Sequence, residues 1–227
     1  LNVWQRMATV SALCVFALML TMHLINNVAS KGTRKDTPFE EKESNFAHQN
    51  IKSALSIHGK IYVVSRNYGP STKHRCLYLK RAYTYSPTRF RVIFGSTTAS
   101  SRMFLVKFST TLEMVRTGRH KNYNAVVHKR NRGDPQKLRK LMYMDQKKTC
   151  MIFVEQRSSA LERAKCQLVR PARHANEVVP DDCRRVYNQN CQGQKIRLYR
   201  RWCQLLPERW YSSYKNKLSK GSSLRGE

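Results

Sequence analysis

The chain has 227 residues and a formal net charge of +29, with 41% hydrophobic and 25% charged residues. Length and composition place it among globular proteins and leave room for one domain. Solubility alone does not account for this charge, because a small domain rarely needs more than about eight net charges to stay soluble. A surface this basic is expected to attract polyanions such as glycosaminoglycans, anionic membranes or nucleic acid.

The first thirty residues differ from the rest. The stretch 10–25 is almost wholly apolar, Arg6 precedes it, and Val28-Ala29-Ser30 places small residues where signal peptidase cuts. An apolar run of about fifteen residues is short for a membrane span, which needs roughly 20, and no second run follows. The sequence therefore predicts that residues 1–30 are a cleaved signal peptide, that the mature protein is secreted and extracellular, and that it has no membrane span.

Seven cysteines become six if Cys14 leaves with the signal peptide, and an even number in a secreted chain indicates disulfides. Six cysteines allow fifteen pairings. If 179–191 is helical, Cys183 and Cys191 stand about 12 Å apart along its axis, which exceeds the roughly 7 Å that a disulfide tolerates, so that pair is excluded. No C-x-x-C pair and no His pair with ligand spacing occurs, and no metal site is expected. The six are Cys76, Cys150, Cys166, Cys183, Cys191 and Cys203.

Residues 31–45 are polar, contain Pro38 and mixed charges, and are predicted to be a flexible leader. A short helix is predicted at 49–57. Segments rich in β-branched and aromatic residues follow, separated by polar or Gly/Pro turns. The predicted strands are 60–68, 75–85, 89–94, 102–108, 112–116, 123–129, 137–144, 150–156 and 165–170.

Alternation with a period of two runs through the best of these strands, and it assigns several aromatic side chains to one face. Tyr83 and Tyr85 share the parity of Leu77 and Leu79, and Phe104 and Phe108 share another strand's parity. Eight or nine such strands with no intervening helical pattern favour a meandering antiparallel barrel or sandwich.

The C-terminal part begins with Val179-Pro180-Asp181-Asp182, which is typical of a helix start and predicts a helix over 179–191. Gly193 ends it, and the alternation in 195–199 predicts a final extended segment. Residues 204–227 are predicted to be a basic, flexible tail. No Gly-rich phosphate loop, nucleophile elbow or metalloprotease helix occurs, so neither an enzyme nor a cofactor is expected.

The order of these features resembles the tick salivary lipocalins, the histamine-binding protein family of the calycin superfamily. The segment 60–68 followed by Cys76 is similar to the family's first strand and second-strand cysteine. The resemblance covers residues 46–203, which would form the barrel domain. Its most specific part is Cys166-Gln167-Leu168, then Val179-Pro180-Asp181-Asp182-Cys183, Tyr187, Cys191, Leu198-Tyr199 and Cys203.

The resemblance implies an eight-stranded antiparallel barrel with a helix packed outside it. It also implies bridges from Cys76 to Cys203 and from Cys150 to Cys183, which leaves Cys166 and Cys191 as the third pair. Family members scavenge host mediators such as histamine, serotonin and leukotrienes, or bind complement proteins, at the feeding site. We therefore expect a ligand scavenger in tick saliva that sequesters a small host mediator and serves host immune evasion.

The ligand class can be narrowed by charge. Amine-binding members tend to carry an acidic residue after the cysteine of the seventh strand, where this chain has Cys150-Met151. An amine needs a carboxylate or an aromatic cage, and the candidate carboxylates here are Glu113, Asp145 and Glu155. The basic composition favours an anionic lipid such as an eicosanoid over histamine, because an inward Arg or Lys would pair with its carboxylate while aromatic side chains cover its tail.

An alternative hypothesis assigns the function to the outer surface. Lys129, Arg130 and Arg132 form a basic turn, flanked by 119–121 and by 137–140, that would bind a glycosaminoglycan or a host protein. In that case the barrel is only a scaffold. Nucleic acid is not an expected partner, because a secreted protein is separated from cellular nucleic acid and no recognition motif occurs in the sequence.

Overall fold

The computed structural model describes residues 37–99, 102–129 and 134–212. Eight of its strands pair antiparallel with their neighbours in the chain, and the last pairs with the first, so the sheet closes into the predicted barrel. They are β1 (Lys60–Arg66), β2 (Tyr78–Thr84), β3 (Arg89–Ser96), β4 (Leu105–Val115), β5 (Ala125–His128), β6 (Lys137–Met144), β7 (Met151–Glu155) and β8 (Cys166–Pro171).

Strand β4 is one long strand where the sequence predicted two, 102–108 and 112–116. The intervening Ser109, Thr110 and Thr111 look like a polar turn in the sequence, but each pairs with a residue of β3. Threonine is well suited to a strand because its β-branched side chain fits the pleated surface.

The first helix, α1 (Ile51–Leu55), lies within the predicted range 49–57. The Asn50 side chain accepts a hydrogen bond from the Ser53 backbone N–H at 3.1 Å and caps the helix. Ile51, Ala54 and Leu55 are buried in the same apolar cluster as the inner side chains of the barrel. The helix therefore closes one end of the barrel.

The second helix, α2 (Asp181–Asn190), packs outside the barrel as predicted. Pro180 precedes it, and Asp181 and Asp182 lie in the first turn, where the helix dipole favours carboxylates. Cys183 and Tyr187, one turn apart, form its buried face. No helix in the described ranges is long and apolar enough to cross a bilayer.

Three disulfides join the outer elements to the barrel, and they are the pairs that the resemblance implies. Cys76–Cys203 ties the chain before β2 to the C-terminal segment. Cys150–Cys183 and Cys166–Cys191 hold α2 against β7 and β8. All six cysteines are fully buried and lie in two apolar clusters outside the lumen.

The predicted flexible leader, 31–45, is folded wherever the structure describes it. Two 3-10 helices, Phe39–Glu41 and Glu43–His48, lie against the outside of the barrel. The fully buried carboxylate of Glu40 accepts two hydrogen bonds from Arg157, both at 2.8 Å, and Glu41 accepts one from Lys140 at 2.6 Å. The segment is held in place because its acidic side chains form ion pairs with basic residues that are distant in the sequence. Residues 31–36 and the predicted signal peptide lie outside the described residues.

The predicted flexible tail, 204–227, is likewise folded as far as residue 212. Strand β9 (Ile196–Arg197) pairs with β1, inside the predicted segment 195–199, and β10 (Glu208–Trp210) adds in parallel to the start of β4. Glu208 bridges Lys60 and Lys107 at 2.6 and 2.8 Å, which fastens the segment to two barrel strands. The remainder of the tail lies outside the described residues.

The meander gives the barrel two unlike ends. The chain leaves β1, β3, β5 and β7 at one of them, which we call the open end. The opposite closed end carries α1, whose Ile51 N–H donates to the Tyr123 carbonyl at 3.0 Å in the β4–β5 connection.

Candidate functional site: a graded cavity in the barrel

The barrel encloses a cavity of about 360 Å³, a size within the range of small-molecule sites. Strand alternation supplies its wall, since every second side chain points inward. The part toward the closed end is apolar. It is lined by Ala54, Leu55, Ile61, Val63, Leu79, Leu112, Val126, Met151 and Val169.

Toward the open end, polar and basic side chains join the apolar Leu77, Phe94 and Phe108 in the lining. Arg139 donates to Glu155 at 3.0 Å and to the Tyr68 hydroxyl at 3.1 Å, and Gln167 donates to the same hydroxyl at 2.6 Å. The Arg66 guanidinium lies 4.9 Å from the centroid of the Tyr68 ring. Its Nε is buried and makes no hydrogen bond within the described residues.

His128 lines the same part of the cavity. Burial and, to a smaller extent, the positive charges of Arg139 and Lys137 together lower its pKa to about 4. The imidazole is therefore neutral at neutral pH, and its ring lies 5.0 Å from that of Phe94. The charged lining residues are then Arg66, Lys137 and Arg139 against Glu155, which makes the open end of the cavity net positive.

A sequence profile of the tick histamine-binding protein family matches residues 39–205. The chain belongs to this family. The match covers the whole barrel, α2 and the 3-10 helix that holds Cys203. A search of curated proteins found no significant match.

Two solved structures are similar at low identity. Japanin from Rhipicephalus appendiculatus, bound to cholesterol, has a TM-score of 0.46 and 8% identity, and the alignment covers 62% of this chain and 91% of Japanin. Insecticyanin from the tobacco hornworm, Manduca sexta, has a TM-score of 0.48 and 9% identity, with coverages of 77% and 90%.

The cavity contains two of the seven predicted ligand-binding residues, Phe108 and Glu155. The predicted Tyr83 and Tyr85 instead lie on the outer surface, 60% and 47% exposed. The cause is a register shift between Arg81 and Tyr83 that reverses the alternation, so that Tyr83 pairs opposite the exposed Arg91. Their placement in the lumen was wrong.

The other three predicted residues also lie away from the cavity. Phe104 precedes β4, and the guanidinium carbon of Arg209 lies 4.3 Å from the centroid of its ring. Glu113 is on the exposed face of β4, because its neighbours Leu112 and Met114 face inward. Asp145 shapes the turn before β7 by accepting from the Cys150 N–H at 2.7 Å and from the Thr149 hydroxyl at 2.9 Å.

Among the basic residues of the alternative hypothesis, those in the described ranges lie in different places. Lys129 is exposed, whereas Arg130 and Arg132 lie outside the described residues. Of their predicted flanks, Arg119 lies in the β4–β5 connection at the opposite end of β5. Lys140 is buried against Glu41, and Arg139 faces the cavity.

The sequence pattern did not predict the cationic lining. It places Arg139 in the flank of a predicted surface patch, and it assigns Arg66 and Tyr68 only to a predicted strand. A usable signal exists in β6, where Lys137 and Arg139 share the parity of the buried Leu141 and therefore face inward. Combined with the order of the meander, that parity predicts cations at the open end.

Proposed function

We propose that this protein is a secreted carrier that sequesters a small anionic amphiphile, such as a fatty carboxylate mediator, in the barrel. The observation that carries this is the gradient in the cavity from an apolar closed end to a cationic open end. A ligand with an apolar tail and a carboxylate head matches both parts. Tail burial contributes about 25 cal/mol per Å² of apolar surface, and Arg66, Lys137 and Arg139 supply donors for the head.

The same cavity is poorly suited to a cationic amine. Among the lining residues, Glu155 is the only carboxylate, and it already pairs with Arg139 at 3.0 Å. A bound ammonium would have to compete with that guanidinium and would also face Arg66 and Lys137. Burying an ammonium without a carboxylate partner costs several kcal/mol.

Secretion is part of the proposal. Family membership, the predicted signal peptide and the three disulfides all support an oxidising extracellular environment. In that setting the barrel would remove a host lipid mediator at the feeding site and so modulate host defence.

The test is calorimetry on protein secreted by eukaryotic cells, with arachidonate, arachidonyl alcohol, histamine and serotonin as ligands. We expect arachidonate to bind about tenfold or more tightly than the alcohol, since the two share a tail and differ in charge. Arg139→Gln should weaken binding of the acid and leave binding of the alcohol unchanged. Arg91→Gln, which removes the same charge from an exposed position on β3, is the matched control and should alter neither.

Two results would reject the proposal. Equal affinities for acid and alcohol would show that the open end does not recognise a carboxylate. Submicromolar histamine binding that disappears in Glu155→Gln would assign the cavity to an amine.

A further inference from the structure

The exposed apolar side chains of this protein are unevenly distributed. Nine large apolar residues are exposed in the described ranges; four of them belong to the C-terminal segment and a fifth, Met103, lies just before the adjoining strand β4. We call this group the aromatic rim. It consists of Met103, Trp202, Leu205, Trp210 and Tyr211, which are 79%, 42%, 83%, 44% and 53% exposed.

The rim is held firmly on the outside of the barrel. Trp210 pairs opposite Lys107 in the β10–β4 ladder, and the Lys107 ammonium lies 4.7 Å from its ring centroid. Trp202 is next to Cys203, whose disulfide to Cys76 anchors the segment to the barrel. The rim therefore presents its side chains from a fixed backbone on the outer surface of the barrel.

The charges around the rim are almost all positive. Arg102, Arg200, Arg201 and Arg209 are exposed. Glu208 is the one acid in 200–212, and both of its oxygens are neutralised, by Lys60 and Lys107. Exposed tryptophan, tyrosine and leucine side chains are thus neighbours in the chain of exposed arginines.

We infer that the aromatic rim docks the protein on the surface of an anionic phospholipid bilayer. Tryptophan and tyrosine rings prefer the headgroup level of a membrane, where their apolar body and polar tip are both accommodated. Nearby arginines add attraction to anionic headgroups, and such peripheral binding needs both signals. The inference goes beyond the ligand proposal and does not depend on what the cavity binds.

A soluble polyanion explains the arginines but not the apolar residues. Chains such as heparin bind through counterion release and gain little from exposed tryptophan or leucine. The coincidence of both features at one site favours a bilayer, and heparin becomes an arm of the experiment.

The experiment is sedimentation of the full-length secreted protein with phosphatidylcholine vesicles, with and without about one third phosphatidylserine. Binding should require phosphatidylserine and should be at least about tenfold weaker in Trp202→Ser/Trp210→Ser and in Arg201→Gln/Arg209→Gln. Two of the three tryptophans lie in the rim, so anionic vesicles should also shift the tryptophan emission to the blue.

Matched controls exist around the turn that joins β2 and β3, away from the rim residues in the chain. Tyr83→Ser/Tyr85→Ser removes two exposed aromatic rings, and Arg89→Gln/Arg91→Gln removes two exposed charges; both should bind vesicles like the wild type. If the tryptophan variant does not fold, as judged by its far-ultraviolet spectrum, the arginine pair decides the question.

Three outcomes would overturn the inference. Equal binding to neutral and anionic vesicles would remove the charge requirement, and equal losses in rim and control variants would show that the charge is diffuse. Heparin binding that depends on the rim arginines, without vesicle binding or an emission shift, would assign the surface to a soluble polyanion.

Discussion

The two ends of the barrel are built from the same strands, but the closed end contributes to stability and the open end carries the charged groups of the cavity. At the closed end α1 packs Ala54 and Leu55 against Leu112 and Val126, so that apolar burial stabilises the fold. At the open end the same strands carry Arg66 and other charged groups, which stabilise little because partly solvated ion pairs contribute at most about 1 kcal/mol each. Stability and recognition are therefore separated along the barrel axis, and variants at each end should report different properties.

The largest effect should come from the disulfide that joins Cys76, which precedes β2 at the open end, to Cys203 in the C-terminal segment. Cys76 and Cys203 are separated by 127 residues, and a loop of that length corresponds to about 5 kcal/mol of unfolding free energy. Cys150–Cys183, which begins at the closed end, spans 33 residues and corresponds to about 4 kcal/mol. Guanidinium unfolding of the two double Ser variants should rank them in that order, and the reverse ranking would show that packing of α2 outweighs loop length.

The second effect concerns the apolar end. Leu112→Ala should lower the free energy of unfolding by about 3 kcal/mol, because the side chain is 1% exposed and the truncation leaves a cavity. Leu161→Ala makes the same chemical change at an 88% exposed position and should cost less than about 0.5 kcal/mol. Urea unfolding measures both, and similar losses would contradict the assignment of the core.

The third effect is a pH dependence that belongs to the open end. The pKa of His128 is lowered to about 4, so the unfolded chain binds its proton first and stability falls as the pH drops from about 6.5 to 4. The slope is at most about 1.4 kcal/mol per pH unit, and solvent screening reduces it. His128→Gln should flatten this part of the curve.

Glu208 provides the contrast to His128, since it titrates in a lower window. Burial raises its pKa, but hydrogen bonds and charges from Lys107 and Lys60 outweigh burial and lower it to about 2. Its contribution is present above about pH 4.5 and is lost as the pH falls toward 2. Thermal melts of Glu208→Gln should therefore keep the slope between pH 6.5 and 4, and loss of that slope would mean that His128 is not its source.

The smallest effect should be seen in ligand affinity. Glu155→Gln releases Arg139 from its ion pair and should raise the affinity for arachidonate a few-fold, less than about 1 kcal/mol, with arachidonyl alcohol unaffected. Calorimetry with the acid and the alcohol measures the difference. A weaker affinity for the acid would mean that Glu155 positions the guanidinium for the ligand.

Most of the barrel could be predicted from the sequence because strand alternation is local. Strand β6 (Lys137–Met144) has the bounds that its pattern predicted, and α2 follows from Pro180 and the two acids after it. The inward aromatic residues could not all be predicted. The register shift between Arg81 and Tyr83 leaves the sequence alternation unchanged but turns the residues after it to the other face of the strand.

The fold of the N-terminal segment could not be predicted for a different reason. Glu40 and its partner Arg157 are 117 residues apart, and no local pattern reveals that a polar leader carries the complement of a distant arginine. The basic lining at the open end of the cavity could not be predicted for the same reason. The residues that form it come from β1, β6, β7 and β8 and meet only when the ring closes.

The Cys76–Cys203 bridge has a further consequence for the lifetime of the protein outside the cell. Any single cut by a protease between residues 77 and 202 leaves one cysteine of the bridge on each fragment, so the two pieces stay covalently joined. A trypsin-like enzyme that cleaves after the exposed Lys129 would produce a nicked molecule that migrates as one species until it is reduced. The bridge therefore makes the barrel tolerant of nicking.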